Sequence, residues 1–326
     1  MTFNVVCLRP EADFLKVEVT PPAALSIAYR SPDDPQLAGL LKDARALVIP
    51  AVGPKLAADL FAGSAVKLVQ VTGAGVDRLD AMAMKEFGIA VCNVVGGSNE
   101  AVAEYVLASA LVLLRRFAWA DGEIRAGNYE AFRARMIDDG LRGVDGLTVG
   151  VVGFGNIGIS VARAFLCMGA AIAYYDPTPA DAKVVAGLDA TSLSLDDLLA
   201  TADVVTLHVP LLPETRGLIG KSELARMKPE AILVNAARGG VVDEAALADA
   251  LASGRLGGAA LDVYEGEPPP EANPLFLLEG EPARRVLFTP HIAGVTCQSW
   301  ARLFRSAWEN VEGVVLHGQA PRYRIF

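Results

Sequence analysis

Histidine is almost missing from this chain: three residues in 326, at positions 208, 291 and 317. Acid–base chemistry resting on an imidazole therefore has only those three candidates. Cysteine is nearly as sparse. Cys7, Cys92, Cys167 and Cys297 are scattered without a C-x-x-C spacing, which argues against disulfides and against a metal centre. Each stands beside apolar residues, so four reduced, buried thiols in a cytoplasmic protein are expected. Positive charge is in the minority, with 29 Lys and Arg against 38 Asp and Glu and a formal net charge of −9. A nucleic-acid surface needs clustered cations against the phosphates, so no such partner is expected. Long apolar runs are absent as well. The greasiest stretch, Ala101–Leu114, carries Glu104 and falls short of the roughly 20 residues that span a bilayer. No membrane association is expected. The opening Met1-Thr2-Phe3-Asn4-Val5-Val6-Cys7-Leu8 lacks the basic start and long apolar core of a signal peptide, and reads as a first buried strand.

What is present points to a layered α/β protein. A chain of 326 residues, 52% hydrophobic and 21% charged, is too long for one ordinary core and predicts two domains. Short apolar runs alternate with helical patterns almost throughout, the signature of parallel sheets wrapped by helices. The predicted strands of the first part are Val5–Leu8, Leu25–Tyr29, Ala46–Ile49, Leu68–Val71 and Ile89–Asn93, with helices over Asp34–Lys42 and Lys55–Gly63. Asn99 is placed to cap a long helix running to about Phe117, followed by a polar stretch from Asp121 to Asp145. A second series then begins, with strands Thr148–Val152, Ala171–Tyr175, Val204–His208, Ile232–Asn235, Gly258–Asp262 and Val286–Thr289 and helices Ile157–Met168 and Glu244–Ser253. The tail, Ser299–Leu316, is helical and amphipathic, with Trp300 and Trp308. This pattern predicts an insertion: a domain over 99–293 interrupting one made of 1–98 and 294–326.

Gly153-Phe154-Gly155-Asn156-Ile157-Gly158 matches G-x-G-x-x-G. With 31 glycines in the chain the pattern alone is weak, but it follows an apolar strand and opens a helix. There Gly153 allows a tight turn, Gly155 lets the backbone approach a pyrophosphate, and Gly158 permits close helix–strand contact, with the helix N-terminus facing the phosphates. Asp176 closes the next strand, where a carboxylate accepts hydrogen bonds from ribose hydroxyls and repels a 2′-phosphate. The reading is a dinucleotide site selective for NAD over NADP; the plainer alternative makes Asp176-Pro177 an ordinary turn.

Further segments carry a resemblance: Thr72-Gly73-Ala74-Gly75-Val76-Asp77, His208-Val209-Pro210-Leu211-Leu212-Pro213-Glu214-Thr215-Arg216, Asn235-Ala236-Ala237-Arg238-Gly239, Leu261-Asp262-Val263-Tyr264-Glu265 with Glu267-Pro268, and Thr289-Pro290-His291-Ile292-Ala293-Gly294. With the glycine loop, they resemble the D-2-hydroxyacid dehydrogenases in the right order from about residue 45 to residue 300. The resemblance implies two doubly wound parallel-sheet domains, a Rossmann NAD-binding domain inserted into a flavodoxin-like substrate domain. It also implies NAD-dependent hydride transfer at C2 of a small D-2-hydroxy or 2-oxo acid. Backbone N–H groups of Ala74, Gly75 and Val76 would bind the substrate carboxylate. Asp262 would contact the nicotinamide carboxamide, Val209, Pro210 and Thr215 would line the cofactor, and Ala236 and Gly294 would complete its site. The long helix and the polar arm after it resemble the family's dimer contacts, implying a homodimer.

The residues make chemical sense by themselves. Reduction of a 2-oxo acid needs a cation for the carboxylate and carbonyl oxygen, a proton donor for the developing alkoxide, and a hydride. Arg238 follows a buried strand and two alanines, which aims a guanidinium at the crevice beyond the sheet; the bland reading is a surface arginine. His317 lies near the end of the last helix. His208 is structural or cofactor-adjacent. His291, at a strand end where the chain returns to the first domain, is left as the acid/base candidate. An ordinary imidazole titrates near pH 6.5, and a neighbouring carboxylate would hold its proton. Glu265 and Glu267 are even candidates for that partner from the residues alone; the family pattern, an acid just before proline, selects Glu267.

Formate dehydrogenases resemble this chain but carry glutamine where Glu267 stands, and phosphite dehydrogenases carry lysine where Ala74 stands. Corepressors of the C-terminal-binding type also resemble it, so an NAD(H)-sensing interaction protein is the alternative to an enzyme. Pro50-Ala51-Val52-Gly53, the Thr72–Asp77 loop and the segment after His291, including Trp300, should wall the pocket. Such walls suggest a small or apolar C3 substituent, as in glyoxylate, hydroxypyruvate or pyruvate.

Overall fold

A computed structural model describes residues 3–326. In it the first apolar runs form β1 (Val5–Cys7), β2 (Ile27–Tyr29), β3 (Ala46–Ile49), β4 (Leu68–Val71) and β5 (Ala90–Cys92). They pair in parallel in the order β2-β1-β3-β4-β5, with Val5 beside both Ile27 and Ala46 and Leu68 beside Ala90. This is the flavodoxin-like strand order. Side chains alternate across the sheet as a two-residue period requires. Val5, Cys7, Val48 and Leu68 join one buried cluster with Phe14, Phe304 and Trp308, while Val6, Leu47, Ile49 and Val69 join another on the opposite face.

The tail helix Cys297–His317 supplies much of the first cluster. Thr296 caps it, its hydroxyl accepting from the Ser299 N–H at 3.0 Å while the Ser299 hydroxyl accepts from the Thr296 N–H at 3.0 Å, and Gly318 ends it in the left-handed region at φ 63°. Its residues 303, 304, 307, 308, 311 and 315 recur at helical spacing and are all buried. Phe304 packs 4.7 Å from Phe14, ring centre to ring centre.

The later series forms β6 (Thr148–Val152), β7 (Ala171–Tyr175), β8 (Thr191–Ser192), β9 (Val204–Leu207), β10 (Ile232–Asn235), β11 (Gly258–Leu261) and β12 (Val286–Phe288). All are parallel, in the order β12-β11-β10-β9-β6-β7-β8. The run β8-β7-β6-β9-β10-β11 reproduces the Rossmann order 3-2-1-4-5-6, with β12 beyond it. The order reverses between β6 and β9, so the loops after these two strands diverge and leave a crevice there. Apolar clusters cover both faces, one around Val149, Val151 and Phe165 and the other around Val152, Leu198 and Leu247. The two sheets belong to separate units, one of residues up to Ser98 with Val295–Phe326, the other of Asn99–Gly294.

The expected α/β class with two doubly wound parallel sheets holds, and several local expectations are corrected. The long helix spans Asn99–Leu114, with Asn99 as its first residue rather than its cap. The polar stretch after it is two helices, Phe117–Arg125 and Tyr129–Asp138. Arg116 breaks the chain between them and the long helix in the left-handed region at φ 52°. Their contact is Trp119 against Phe132 at 5.4 Å, with the Arg135 guanidinium 4.6 Å over the indole. So few apolar residues produce no helical period in the sequence. Lys55–Gly63 holds only a 3-10 turn, Ala58–Phe61. Cys7 and Cys92 are buried, but Cys167 and Cys297 are exposed. Cys167 sits at a helix end between Leu166 and Met168, which are exposed with it, and Cys297 at a helix start, so apolar sequence neighbours did not mark burial.

Candidate active site

The glycine loop occupies the turn between β6 and the helix Asn156–Leu166. Gly153 has φ +91°, and a Cβ there would lie 2.7 Å from the His208 carbonyl oxygen. A Cβ on Gly158 would collide with the Gly153 carbonyl, so both positions need glycine to let helix and strand meet. At Gly155 a Cβ would meet nothing within 4 Å. The helix N-terminus behind it carries no side-chain cap, with Asn156 exposed and Ile157 turned into the core. Open space before uncapped N–H groups is what a pyrophosphate requires. Asp176, just past β7, accepts from the Phe154 N–H at 2.7 Å and from the Thr178 N–H at 2.8 Å. Its carboxylate thus braces the loop and keeps lone pairs for a ribose. These residues fit a dinucleotide.

Past β9, Val209 touches the glycine loop, within 3.0 Å of the Cβ position at Gly153. Thr215 donates to the Pro210 carbonyl at 2.6 Å and accepts from the Leu212 N–H at 2.8 Å, so its hydroxyl organises its own loop. His208 sets its Nε2 2.9 Å from the Thr206 hydroxyl. Burial pushes its imidazole down to about 3, which keeps it neutral and unsuited to donate a proton.

Beyond β10 the chain turns through Ala236, Ala237 and Arg238. The buried Asn235 builds this turn: its amide donates to the Arg238 carbonyl at 3.1 Å and its side-chain oxygen accepts from the Ala237 N–H at 3.1 Å. Gly239 lies so close to the Tyr264 carbonyl that any Cβ would overlap it. That approach brings the turns after β10 and β11 together and puts the Arg238 charge within electrostatic reach of Glu267.

His291 lies past β12 with φ +55°, a left-handed backbone unusual for a residue with a side chain. Asp262, 1% exposed, holds it there. Its backbone carbonyl accepts from the His291 N–H at 2.8 Å. Its carboxylate accepts from the Thr289 hydroxyl at 2.6 Å, the Ile292 N–H at 2.8 Å and the Ala293 N–H at 2.7 Å. Thr289 is backed in turn by the Tyr105 hydroxyl at 2.7 Å. Tyr264, its phenol pushed up to about 12 by burial, donates to the carbonyls of Leu261 and Thr289.

The outcome is an acid–imidazole pair. His291 Nδ1 is 2.7 Å from Glu267 Oε2, while Oε1 accepts from the Tyr264 N–H at 3.2 Å. Burial works against a carboxylate at Glu267. The His291 hydrogen bond and charge, the Tyr264 N–H and the Arg238 charge outweigh it and hold Glu267 below the ordinary glutamate range. The rival acid, Glu265, points elsewhere and pairs with Arg216 at 3.0 Å on the surface. His317 is exposed at the end of the tail helix.

Ala74, Gly75 and Val76 belong to the other unit, in the loop after β4. Among the described residues nothing accepts from their three N–H groups, a run of free donors suited to a carboxylate. Gly294 is the last residue of the second unit. Among the described residues no cluster of three or more His, Cys, Asp or Glu could hold a metal, and no helix is long and apolar enough to cross a membrane. Asn235, Tyr264, Thr289 and Tyr105 were not foreseen as site residues. Asn235, Tyr264 and Thr289 could have been marked only by their place beside strand ends, and Tyr105, inside the long helix, carries no such signal.

Asp262→Asn should destabilise the chain by about 1–3 kcal/mol in urea unfolding, because an amide faces one of the buried donors with a second donor. Unchanged stability, with full exchange protection at Ile292 and Ala293, would contradict the clamp. For Glu267, a lowered carboxyl contributes stability that is complete above the unfolded value and fades as pH falls through the folded one. The stability gap between wild type and Glu267→Gln should therefore stay constant near neutrality and close only below about pH 4.3. A gap already lost well above that pH would be inconsistent with the pair.

The profile of the D-isomer specific 2-hydroxyacid dehydrogenase NAD-binding domain matches residues 107–293. A D-3-phosphoglycerate dehydrogenase of Archaeoglobus fulgidus is 40% identical over 231 residues, 71% of this chain but 42% of that enzyme. The chain thus spans less than half the length of this relative. A hydroxypyruvate reductase of Thermotoga maritima is 37% identical over 252 residues, 76% of this chain and 78% of that protein. Among solved structures, a glyoxylate reductase from Paecilomyes thermophila superposes with a TM-score of 0.82 at 27% identity, covering 98% of this chain and 97% of that one. With the strand orders and the glycine loop, these likenesses place the chain in the D-isomer specific 2-hydroxyacid dehydrogenase family.

Proposed function

We propose that the chain is an NAD-dependent dehydrogenase interconverting a small 2-oxo acid and its D-2-hydroxy acid. The observation that carries this reading is the 2.7 Å bond between His291 and Glu267 beside the charge of Arg238, in the unit that also bears the glycine loop. NAD(H), when bound, supplies or accepts the hydride at C2. The Arg238 guanidinium binds the substrate's carboxylate and carbonyl oxygen and favours the charge that develops on that oxygen. Glu267 fixes the ring of His291 through Nδ1, so that Nε2 gives a proton to the alkoxide in reduction and takes it back in oxidation. Asp262 keeps the His291 backbone in place, acting through the histidine.

The unit of β1–β5 is proposed as the substrate domain, its N–H groups at Ala74, Gly75 and Val76 receiving the carboxylate. The other is proposed as the NAD domain, with Gly153, Gly155, Asn156, Ile157, Gly158, Val209, Pro210, Thr215, Ala236, Asp262 and Gly294 about the cofactor. Asp176 would favour NAD over NADP. A homodimer is also proposed, supported by the apolar side chains Phe117, Ile124, Tyr129, Ile137 and Leu141, which stay exposed along the arm after the long helix.

A panel of 2-oxo acids including glyoxylate, pyruvate and hydroxypyruvate, with NADH consumption followed, tests the reaction. At least one should turn over, and His291→Gln should lower kcat/KM by a factor of about 100 or more. Tight NADH binding without turnover of any member would instead support a nucleotide sensor. With the preferred substrate, NADH should outperform NADPH, and Asp176→Ala should narrow the ratio about tenfold. An unaltered ratio would remove Asp176 from cofactor selection.

A further inference from the structure

Arg78 lies in the loop between β4 and the helix Ala81–Glu86 and is 3% exposed. Its Nε donates to the Pro54 carbonyl at 2.9 Å and its Nη1 to the Pro50 carbonyl at 2.9 Å. Nη2 is closed off from solvent and has no partner. Among the described residues no carboxylate neutralises this guanidinium; what acts on it is burial and a second cation, Arg9, and both lower its proton affinity. Arg9 follows β1, with Nη1 2.9 Å from Asp13 and Nε donating to the Thr72 hydroxyl at 3.1 Å. Its charge lies over the rings of Trp300 and Phe304, at 5.0 and 4.8 Å.

Two guanidiniums and one carboxylate are thus drawn inside the carboxyl ends of β1, β3 and β4. One positive charge there is uncompensated, in a chain whose net charge is −9. Burying an unpaired charge and an unpaired donor is costly, and the carboxyl ends of parallel strands are where α/β sheets take their ligands. Clamping the Pro50–Pro54 loop explains two of the donors. It leaves Nη2 unexplained, and it needs no charge. Above the guanidinium the loop is thin. Gly53, at φ +135°, lies flat on it, with its Cβ position 3.1 Å from Cζ, and Val52, Gly53, Pro54 and Lys55 are all exposed.

We propose that Arg78 is the receptor for a second anionic group on the substrate, a carboxylate, phosphate or sulfonate carried at C3, which reaches Nη2 as residues 52–55 move aside. This rests on the 2-oxo acid reading above and refines it. The free N–H groups of Ala74, Gly75 and Val76 and the Arg78 fork lie on one loop, so a doubly anionic substrate is held at both ends. Pro50, Ala51 and Val52 suggest an apolar substituent by themselves, whereas the cation behind them favours a charged one.

Two measurements test the site separately from the reaction. Thermal unfolding is followed with inorganic phosphate, sulfate or malonate at constant ionic strength held with chloride. At least one should raise the Tm of wild type more than that of Arg78→Met, with Arg78→Lys between them. Steady-state kcat/KM is then compared for 2-oxo acids bearing a carboxylate, a phosphate or a sulfonate at C3 against pyruvate, which also distinguishes the three anions. The best charged substrate should lead pyruvate in wild type, and that lead should fall tenfold or more in Arg78→Met and partly return in Arg78→Lys. Equal anion responses in wild type and Arg78→Met, or a lead that survives the substitution, overturn the proposal. If Arg78→Met does not fold, the wild-type comparison decides, since no preference for any charged substrate is equally fatal. Should no 2-oxo acid turn over, the dehydrogenase reading fails, and the anion-dependent Tm still judges Arg78.

Discussion

A carboxylate with almost no access to water orders the candidate site in the unit of Asn99–Gly294. Asp262 takes three hydrogen bonds on its side chain and one on its carbonyl, all from the five-residue stretch Thr289–Ala293. A buried carboxylate without donors is costly, and one with three is stable and rigid. The arrangement forces His291 into a left-handed backbone that an isolated chain would rarely adopt. The strain is local, and it aims the imidazole at Glu267. Replacing that pattern of donors would release the histidine before it disturbed either apolar cluster of the sheet.

Everything else at this site follows from parallel strands ending on one side. β6, β9, β10, β11 and β12 deliver in turn the glycine loop, the His208 loop, the Arg238 turn, the Glu267 loop and the His291 loop. Each loop is short and carries its chemistry within a few residues of a buried strand, so the functional groups inherit the rigidity of the sheet. Small residues then let the loops close on each other: Gly153 against His208, Gly239 against Tyr264. The first sheet repeats the principle with Arg9, the Pro50–Pro54 loop and the Ala74–Arg78 segment at its own carboxyl edge.

Much of this was legible beforehand. Buried parallel strands read as continuous apolar runs, and β3, β4, β6, β7 and β10 fall on their predicted residues. β8 did not register because it is two exposed residues at a sheet edge. The arm after the long helix did not register because a tryptophan among arginines holds it rather than an apolar stripe. Within the site, sequence could weigh Glu265 against Glu267 only by resemblance, since both are acids after the same strand; separating them takes the fold, which sends one to Arg216 and the other to His291. Asn235 and Tyr264 act on backbone carbonyls and N–H groups and Thr289 on the Asp262 carboxylate, and a one-letter sequence says nothing about such partnerships. The partnerless Nη2 of Arg78 was equally invisible, because an arginine after a loop reads as a surface charge.

The account stands on an imidazole tied through Nδ1 to an ionised glutamate, with Nε2 left for the proton. Nuclear magnetic resonance of protein labelled with ¹⁵N at histidine observes that bond directly, with only three rings to assign. The account predicts one strongly deshielded Nδ1–H proton, belonging to His291, which shifts upfield in Glu267→Gln. A His291 ring with no such proton, or one whose resonance is the same with and without the Glu267 carboxylate, would contradict it.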